Sequence, residues 1–252
     1  MRILAIKTRI LNPPKDNLYE VLDTVVPKLK PDSIVAVSSK IVSIGEGNTT
    51  PLDRYPDKDK LVIQEAEKYL PREFVPGGWV MHTIKNNLLI PTAGIDESNS
   101  DDYFVLWPKD PEKSAQKIWK YLKEKSGVKN LGVIITDSHS VPGRRGIVGL
   151  SLGFFGFKPL RDYRGQKDLF GKELRVSQTN NPDSLATAAV FVMGEGAEQT
   201  PIALITDLDD SIEFIDRRYT SKGHFNSLIV PLEEDLYYPF ISSVPWKKGK
   251  AK

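Results

Sequence analysis

The sequence predicts an α+β fold, on three observations. Strand-like apolar runs are mixed with isolated helices rather than alternating with them in a regular βαβ array. Two of the helices carry explicit start and stop residues. No linker, internal repeat or low-complexity stretch divides the chain. With 252 residues, 40% of them apolar and 27% charged, it can bury a substantial core as one large domain or two small ones.

In chain order, "KDNLYEVLDTVV" (15–26) has helical spacing and stops before Pro27. "DSIVAVSSKIVSI" (32–44) alternates like a strand and runs into "GEG". "DKLVIQEAEKYL" (59–70) reads as a helix ended by Pro71, and "GWVMHTIKNNLLIPT" as two strands around the turn residues Asn86 and Asn87. In "KDPEKSAQKIWKYLKEKSG", Asp110 is an N-cap, Pro111 suits the first helical position and Gly127 marks the end. Asn181 and Pro182 start a second such helix, which Gly194 ends. "LGVIITDS", the Gly-rich "GIVGLSLGFFGF" and "PIALITDL" read as strands. Beyond Asp210, "SIEFI", "SLIV" and "LYYPFI" are candidate short edge strands.

Composition excludes several functions. Without cysteine there are no disulfides, Cys-ligated zinc, iron–sulfur clusters or thiol catalysis. His82, His139 and His224 are too dispersed for a zinc site; His139 reads as a loop hydrogen-bonder and His82 as structural. A net charge of +2 with scattered Lys and Arg argues against nucleic acid, and the basic "WKKGKAK" end reads as a frayed tail. No signal-peptide core or membrane-length apolar run is seen, so a cytoplasmic protein is expected.

Three distant segments deliver a carboxylate where an apolar element ends. Asp96 follows "NNLLIPTAGI", Asp137 follows "GVIIT", and Glu195 sits between Gly194 and Gly196. Such ends often converge at one edge of a sheet. Oxygen donors with hydroxyls nearby, Ser138 among them, suit Mg²⁺ or Mn²⁺, whose remaining ligands are commonly nucleotide phosphates. No P-loop or dinucleotide fingerprint is present, leaving "GEGNTT" (45–50) and "GEGAEQT" (194–200) as candidate phosphate cradles. Arg144 and Arg145 are candidates for clamping an anionic substrate. Phe154, Phe155 and Phe157 read as packing residues; Phe154, Phe155 or Tyr163 is a candidate stacking surface for a substrate ring.

The ordered motifs "KIVSIGEG", "AGIDESN", "DPEKSA", "VIITDS", "PLRDYRGQKDLFGKEL" and "DSLATAAVFVMGEGAEQTP" resemble the coenzyme F420:L-glutamate ligase family over residues 1 to 208. The resemblance implies an amide-forming ligase driven by ATP or GTP, with two divalent ions. It also implies an α+β fold of mixed and antiparallel sheets with flanking helices, in an intertwined homodimer. By position, Asp96 and Asp137 match the ligands of one metal, and Ser138 with Glu195 those of the other. Arg9, Ile10 and Leu11 in segment 8–11, Ser39, Lys40, Asn99, and Met193, Gly194, Gly196 and Thr200 in segment 193–200 match nucleotide contacts. Residues 209–252 are expected to form a C-terminal extension.

Two departures stand out. Ile44 occupies a position where the family usually has Lys, and "SHSVPGRRG" replaces the usual T-x-G-R-P-x-R after the T-D pair. The latter resembles a bacterial branch proposed to act on folate. The sequence is therefore read as a γ-glutamyl ligase adding L-glutamate to a folate-type acceptor. Alternatives are F420-0, another small acid, or a non-catalytic nucleotide-binding role.

Overall fold

The computed structural model describes residues 1–208, 211–215 and 228–251. Its centre is a five-stranded sheet in the order β1 (Arg2–Ile6), β12 (Ile202–Thr206), β2 (Ser33–Ser38), β8 (Leu131–Ser140), β9 (Ile147–Phe155). Only β2 and β8 pair in parallel; the other neighbours are antiparallel. The mixed sheet with separate helices fits the α+β expectation.

Helices cover both faces, which explains why its central strands are apolar throughout. Along β2, Ile34 and Ala36 pack with Leu185, Ala186 and Ala189 of helix α5 (Asn181–Met193). Val35 and Val37 pack on the other face with α1 (Leu18–Asp23), α2 (Ser39–Glu46) and α4 (Pro111–Ser126). The glycines of β9 let two helices approach its backbone: a Cβ at Gly149 would lie 2.3 Å from the Ala186 carbonyl oxygen of α5. One at Gly153 would lie 2.6 Å from Pro111 of α4. These glycines share parity yet face opposite ways because the register slips between Ile135–Gly153 and Thr136–Ser151, a β-bulge.

A smaller sheet, in the order β13 (Lys247–Lys248), β4 (Lys68–Leu70), β5 (His82–Lys85), β6 (Leu88–Pro91), accompanies α3 (Lys58–Glu65). Its core contains Leu61, Val62, Met81, Ile95, Phe104 and Leu106. Two ribbons complete the fold: β3 (Thr49–Pro51) with β7 (Tyr103–Val105), and β10 (Leu160–Asp162) with β11 (Gln178–Asn180).

The hairpin at Asn86 and Asn87 forms as expected, both residues having positive φ as a two-residue type I′ turn requires. The α4 signals also hold: Asp110 accepts from the Lys113 N–H at 2.9 Å, and Gly127 ends the helix at φ 67°. Elsewhere the chain differs from the sequence reading. The run 32–44 is a strand only to Ser38; α2 comes next, burying Ser39, Ile41, Val42, Ser43 and Ile44. Spacing at 41, 42 and 44 suits a helix as well as a strand, and the wall of apolar side chains decides it. "GEG" therefore closes α2, with Gly47 as its left-handed C-cap, and makes no phosphate loop.

The run 59–70 is α3 followed by β4, and Asn180, one residue earlier than expected, caps α5. In the tail, "SIEFI" makes a single bridge, Phe214 to Phe157, and "LYYPFI" contains the short helix Tyr238–Ile241. "SLIV" begins at Ser227, outside the described residues, and Leu228–Val230 form no strand. The basic end is not frayed at 247–251: it pairs with β4, and the Gly249 N–H donates to the Glu67 carbonyl at 2.8 Å. Among the described residues no helix is long and apolar enough to cross a membrane.

Candidate active site

The parallel strands β2 and β8 end side by side, and a cavity of about 610 Å³ opens at their carboxyl ends. In open sheets this is where neighbouring strand-end loops diverge and leave room for a ligand. Each wall is a different strand exit: the start of α2 after β2, Thr136 to Ser138 on β8, and segment 8–13 after β1. The loop 94–101 and segment 193–201 between α5 and β12 close it. Asp96, Asp137, Ser138 and Glu195 all line this cavity. So do Arg9, Ile10, Leu11, Ser39, Lys40, Asn99, Met193, Gly194, Gly196 and Thr200. Arg144 and Arg145 are not brought there; they lie exposed in the turn between β8 and β9.

Asp137 continues the face of Val133 and Ile135 beyond the bulge, so its carboxyl is directed inward. Burial pushes it up to about 6, against hydrogen bonds from the Trp107 indole N–H, the Ser138 N–H and the Ser39 hydroxyl; the nearby Asp96 charge adds to the rise.

Asp96 closes an Asx-type turn, accepting from the Ser98 N–H (2.8 Å) and hydroxyl (2.9 Å) at Oδ1. Its Oδ2 lies 2.7 Å from Lys40 Nζ. Burial alone would raise this carboxyl, but Lys40 and the Ser98 donors together bring it below its ordinary value.

Glu195 follows Gly194, whose φ of 78° with ψ of 170° is open essentially to glycine alone. Its Oε2 accepts from Ser138 Oγ at 3.4 Å. Burial raises Glu195, and so do the charges of Asp96 and Glu198, against the Ser138 hydrogen bond and Lys40. The neighbouring Gly196 N–H is taken by Glu198 Oε2 at 2.8 Å, and Asn99 Nδ2 donates to the Gly196 carbonyl at 3.0 Å. Segment 194–199 is thereby tied to the Asp96 loop.

Three carboxylates thus share one cavity, and Lys40 is the cation that moderates two of them. Among the described residues, no three His, Cys, Asp or Glu side chains form a metal cage by themselves. Separated carboxylates in an all-oxygen setting are what Mg²⁺ or Mn²⁺ uses when phosphates supply the remaining ligands. The donor set fits those ions and does not suit zinc or copper.

Several residues fall into structural roles. The Arg9 guanidinium is held by Asp16, with both N···O distances 2.8 Å, and by Glu20. Ile44, the apolar replacement for a family lysine, is buried at the cavity wall. Phe154, Phe155 and Phe157 are core side chains, which removes Phe154 and Phe155 as stacking surfaces, and Tyr163 carries Arg161 over its ring. His82 on β5 and His139 on β8 are both half-buried, and burial lowers both. Sequence reasoning missed Trp107; a buried Trp needs a partner for its N–H, which was the one available signal for it.

Fold and cavity define an α+β enzyme whose site gathers three carboxylates and a lysine in one cleft. The chain belongs to the F420-0:gamma-glutamyl ligase family, whose model matches residues 5–207, and it is an amide-forming ligase. It is 36% identical over 195 residues to the coenzyme F420:L-glutamate ligase of Methanosarcina acetivorans, covering 72% of this chain and 76% of that one. It is 31% identical over 217 residues to the enzyme of the same name from Methanopyrus kandleri, covering 79% and 84%. The Methanocaldococcus jannaschii protein, likewise named, is 32% identical over 217 residues, covering 81% and 84%.

Proposed function

We propose that this chain joins the amine of L-glutamate to a carboxylate of F420-0 as an amide, at the expense of ATP or GTP. The observation that carries the reading is the convergence of Asp96, Asp137 and Glu195 on one cavity at the ends of β2 and β8. The relatives are named for F420 rather than folate, and this moves the acceptor from the folate first expected to F420-0.

In the proposed reaction an acceptor carboxylate oxygen attacks the terminal phosphorus of the nucleotide. The bond to the bridging oxygen breaks, the nucleoside diphosphate leaves, and an acyl phosphate forms. The amine of glutamate then attacks the acyl carbon, phosphate leaves, and the amine loses a proton. Asp96 with Asp137, and Ser138 with Glu195, would hold two divalent ions, which supply charge neutralisation at the phosphates. Lys40, Ser39 and Asn99, with segments 8–11 and 193–200, would position the nucleotide. Most of the acceleration then comes from preorganised charge, so loss of one carboxylate costs roughly 10²-fold or more in rate. Arg144 and Arg145 would hold a carboxylate of glutamate or acceptor from outside the cavity wall.

A second reading, transfer to a reduced folate, rests on the loop "SHSVPGRRG", which departs from the family pattern while the acid at Asp137 is kept. With either acceptor the working unit would be a cytoplasmic homodimer, with a ligase domain at 1–208 and an extension at 209–252. Nucleotide turnover tests the ligase reading: it should require acceptor and glutamate together. Turnover indifferent to both, or binding without turnover, would leave a nucleotide-binding protein instead.

A further inference from the structure

We propose that Trp107 is a positioning residue for the metal-binding carboxylates, setting the orientation of Asp137 and its spacing from the Asp96 loop. The inference rests on the reading that Asp96 and Asp137 hold a divalent ion. Trp107 is only 3% exposed, and its indole N–H donates to Asp137 Oδ2. Together with the Ser138 N–H and the Ser39 hydroxyl, this bond fixes the plane of the carboxyl that would meet a cation. Such outer partners of metal ligands commonly govern affinity as strongly as ligand choice does.

The same ring supports the second carboxylate. Gly94, two residues before Asp96, has φ 70°, and a Cβ there would lie 2.1 Å from the indole. The turn aiming Asp96 therefore rests against the side chain that holds Asp137. The indole is itself fixed from behind. The Trp107 carbonyl accepts from Asn48 Nδ2, and Lys85 Nζ lies 5.6 Å from the ring centroid while pairing with Glu65 at 2.9 Å. One rigid ring thus meets both the Asp96 turn and the Asp137 carboxyl.

Two variants separate the hydrogen bond from the packing. Trp107→Phe removes the N–H and part of the ring. Incorporation of 3-benzothienyl-alanine at position 107 keeps the ring's shape and removes only the N–H. The readout is binding of Mn²⁺, alone and with a nucleoside diphosphate, followed by the electron paramagnetic resonance of the free ion, with Asp137→Asn as control. Metal-free nucleotide binding in EDTA is measured in parallel. The expected result is Mn²⁺ binding weakened about tenfold in both variants, with metal-free nucleotide binding close to wild type in both and melting temperature close to wild type in the isostere. The isostere binding Mn²⁺ like wild type would overturn the proposal, even if the Phe variant fails to fold. So would equal loss of metal and metal-free nucleotide binding, which marks a merely structural role. Wild-type protein that takes up no Mn²⁺ either alone or with a nucleoside diphosphate, or takes it up equally in Asp137→Asn, would refute the metal reading itself and the proposal with it.

Discussion

Lys40 Nζ stands 2.7 Å from Asp96 Oδ2 and 2.7 Å from the Ser98 carbonyl oxygen, so one ammonium closes the loop that carries the first candidate metal ligand. Lys40 lies in the first turn of α2, directly after β2, and Asp96 lies beyond the smaller sheet. The contact therefore joins the central sheet to the loop 94–101.

A consequence is that Lys40→Met should separate two functions. Asp96 loses its neutralising partner, so Mn²⁺ alone should bind several-fold more tightly, by the Coulomb cost a nearby ammonium imposes on a second cation. Ligation should slow by at least tenfold if Lys40 also positions the nucleotide as proposed. Calorimetric Mn²⁺ titration and a ligation rate check the pair; weaker Mn²⁺ binding would contradict the assignment of Lys40 as a competitor for Asp96.

Gly94→Ala should destabilise the fold by about 2 kcal/mol or more, since the position needs a positive φ and its Cβ would strike the buried Trp107 ring. Urea unfolding measures this. A loss below about 0.5 kcal/mol would mean that the turn relaxes without cost.

The Arg9–Asp16 pair makes stability depend on acid. Hydrogen bonding from the Arg9 guanidinium, with the Asn12 and Asn17 N–H groups, holds the Asp16 carboxyl well below the usual carboxylate range. A depressed folded value means the stabilisation is fully present above the unfolded pKa of about 3.9 and is lost as pH falls through the folded value. Asp16→Asn should therefore cost about 1 kcal/mol at neutral pH, Arg9 being partly exposed, and nothing at strongly acid pH. Denaturation midpoints at neutral and at strongly acid pH test the sign; an equal loss at both would point to packing instead.

Arg144→Ala and Arg145→Ala should leave stability and nucleotide binding unchanged, since both side chains are exposed and outside the cavity. They should raise KM for glutamate or acceptor about tenfold, the scale of one lost charge-assisted contact. Unchanged KM values would assign the turn a purely solvated role.

The sequence disclosed what is local. Asp110, Gly127 and the Asn86–Asn87 turn are read from neighbours in the chain, and the acids at 96, 137 and 195 mark the ends of apolar elements. It did not disclose α2, because the pattern at 41, 42 and 44 suits either period and only burial against the sheet decides. Nor did it disclose that Trp107 links Gly94 to Asp137, a relation created by folding across separate elements. Arg9 shows the reverse case: position places it at the cavity, yet its charge is spent on Asp16 and Glu20 seven and eleven residues on.

The most direct measurement is mass-spectrometric detection of ligation. Wild-type protein and Asp137→Asn are incubated with L-glutamate, Mg²⁺ or Mn²⁺, ATP or GTP, and either F420-0 or tetrahydrofolate monoglutamate. The expected result is a glutamyl adduct on F420-0 with wild type and at least roughly 10²-fold less with the variant. An adduct on the folate alone, or on neither acceptor, would contradict the assignment of F420-0.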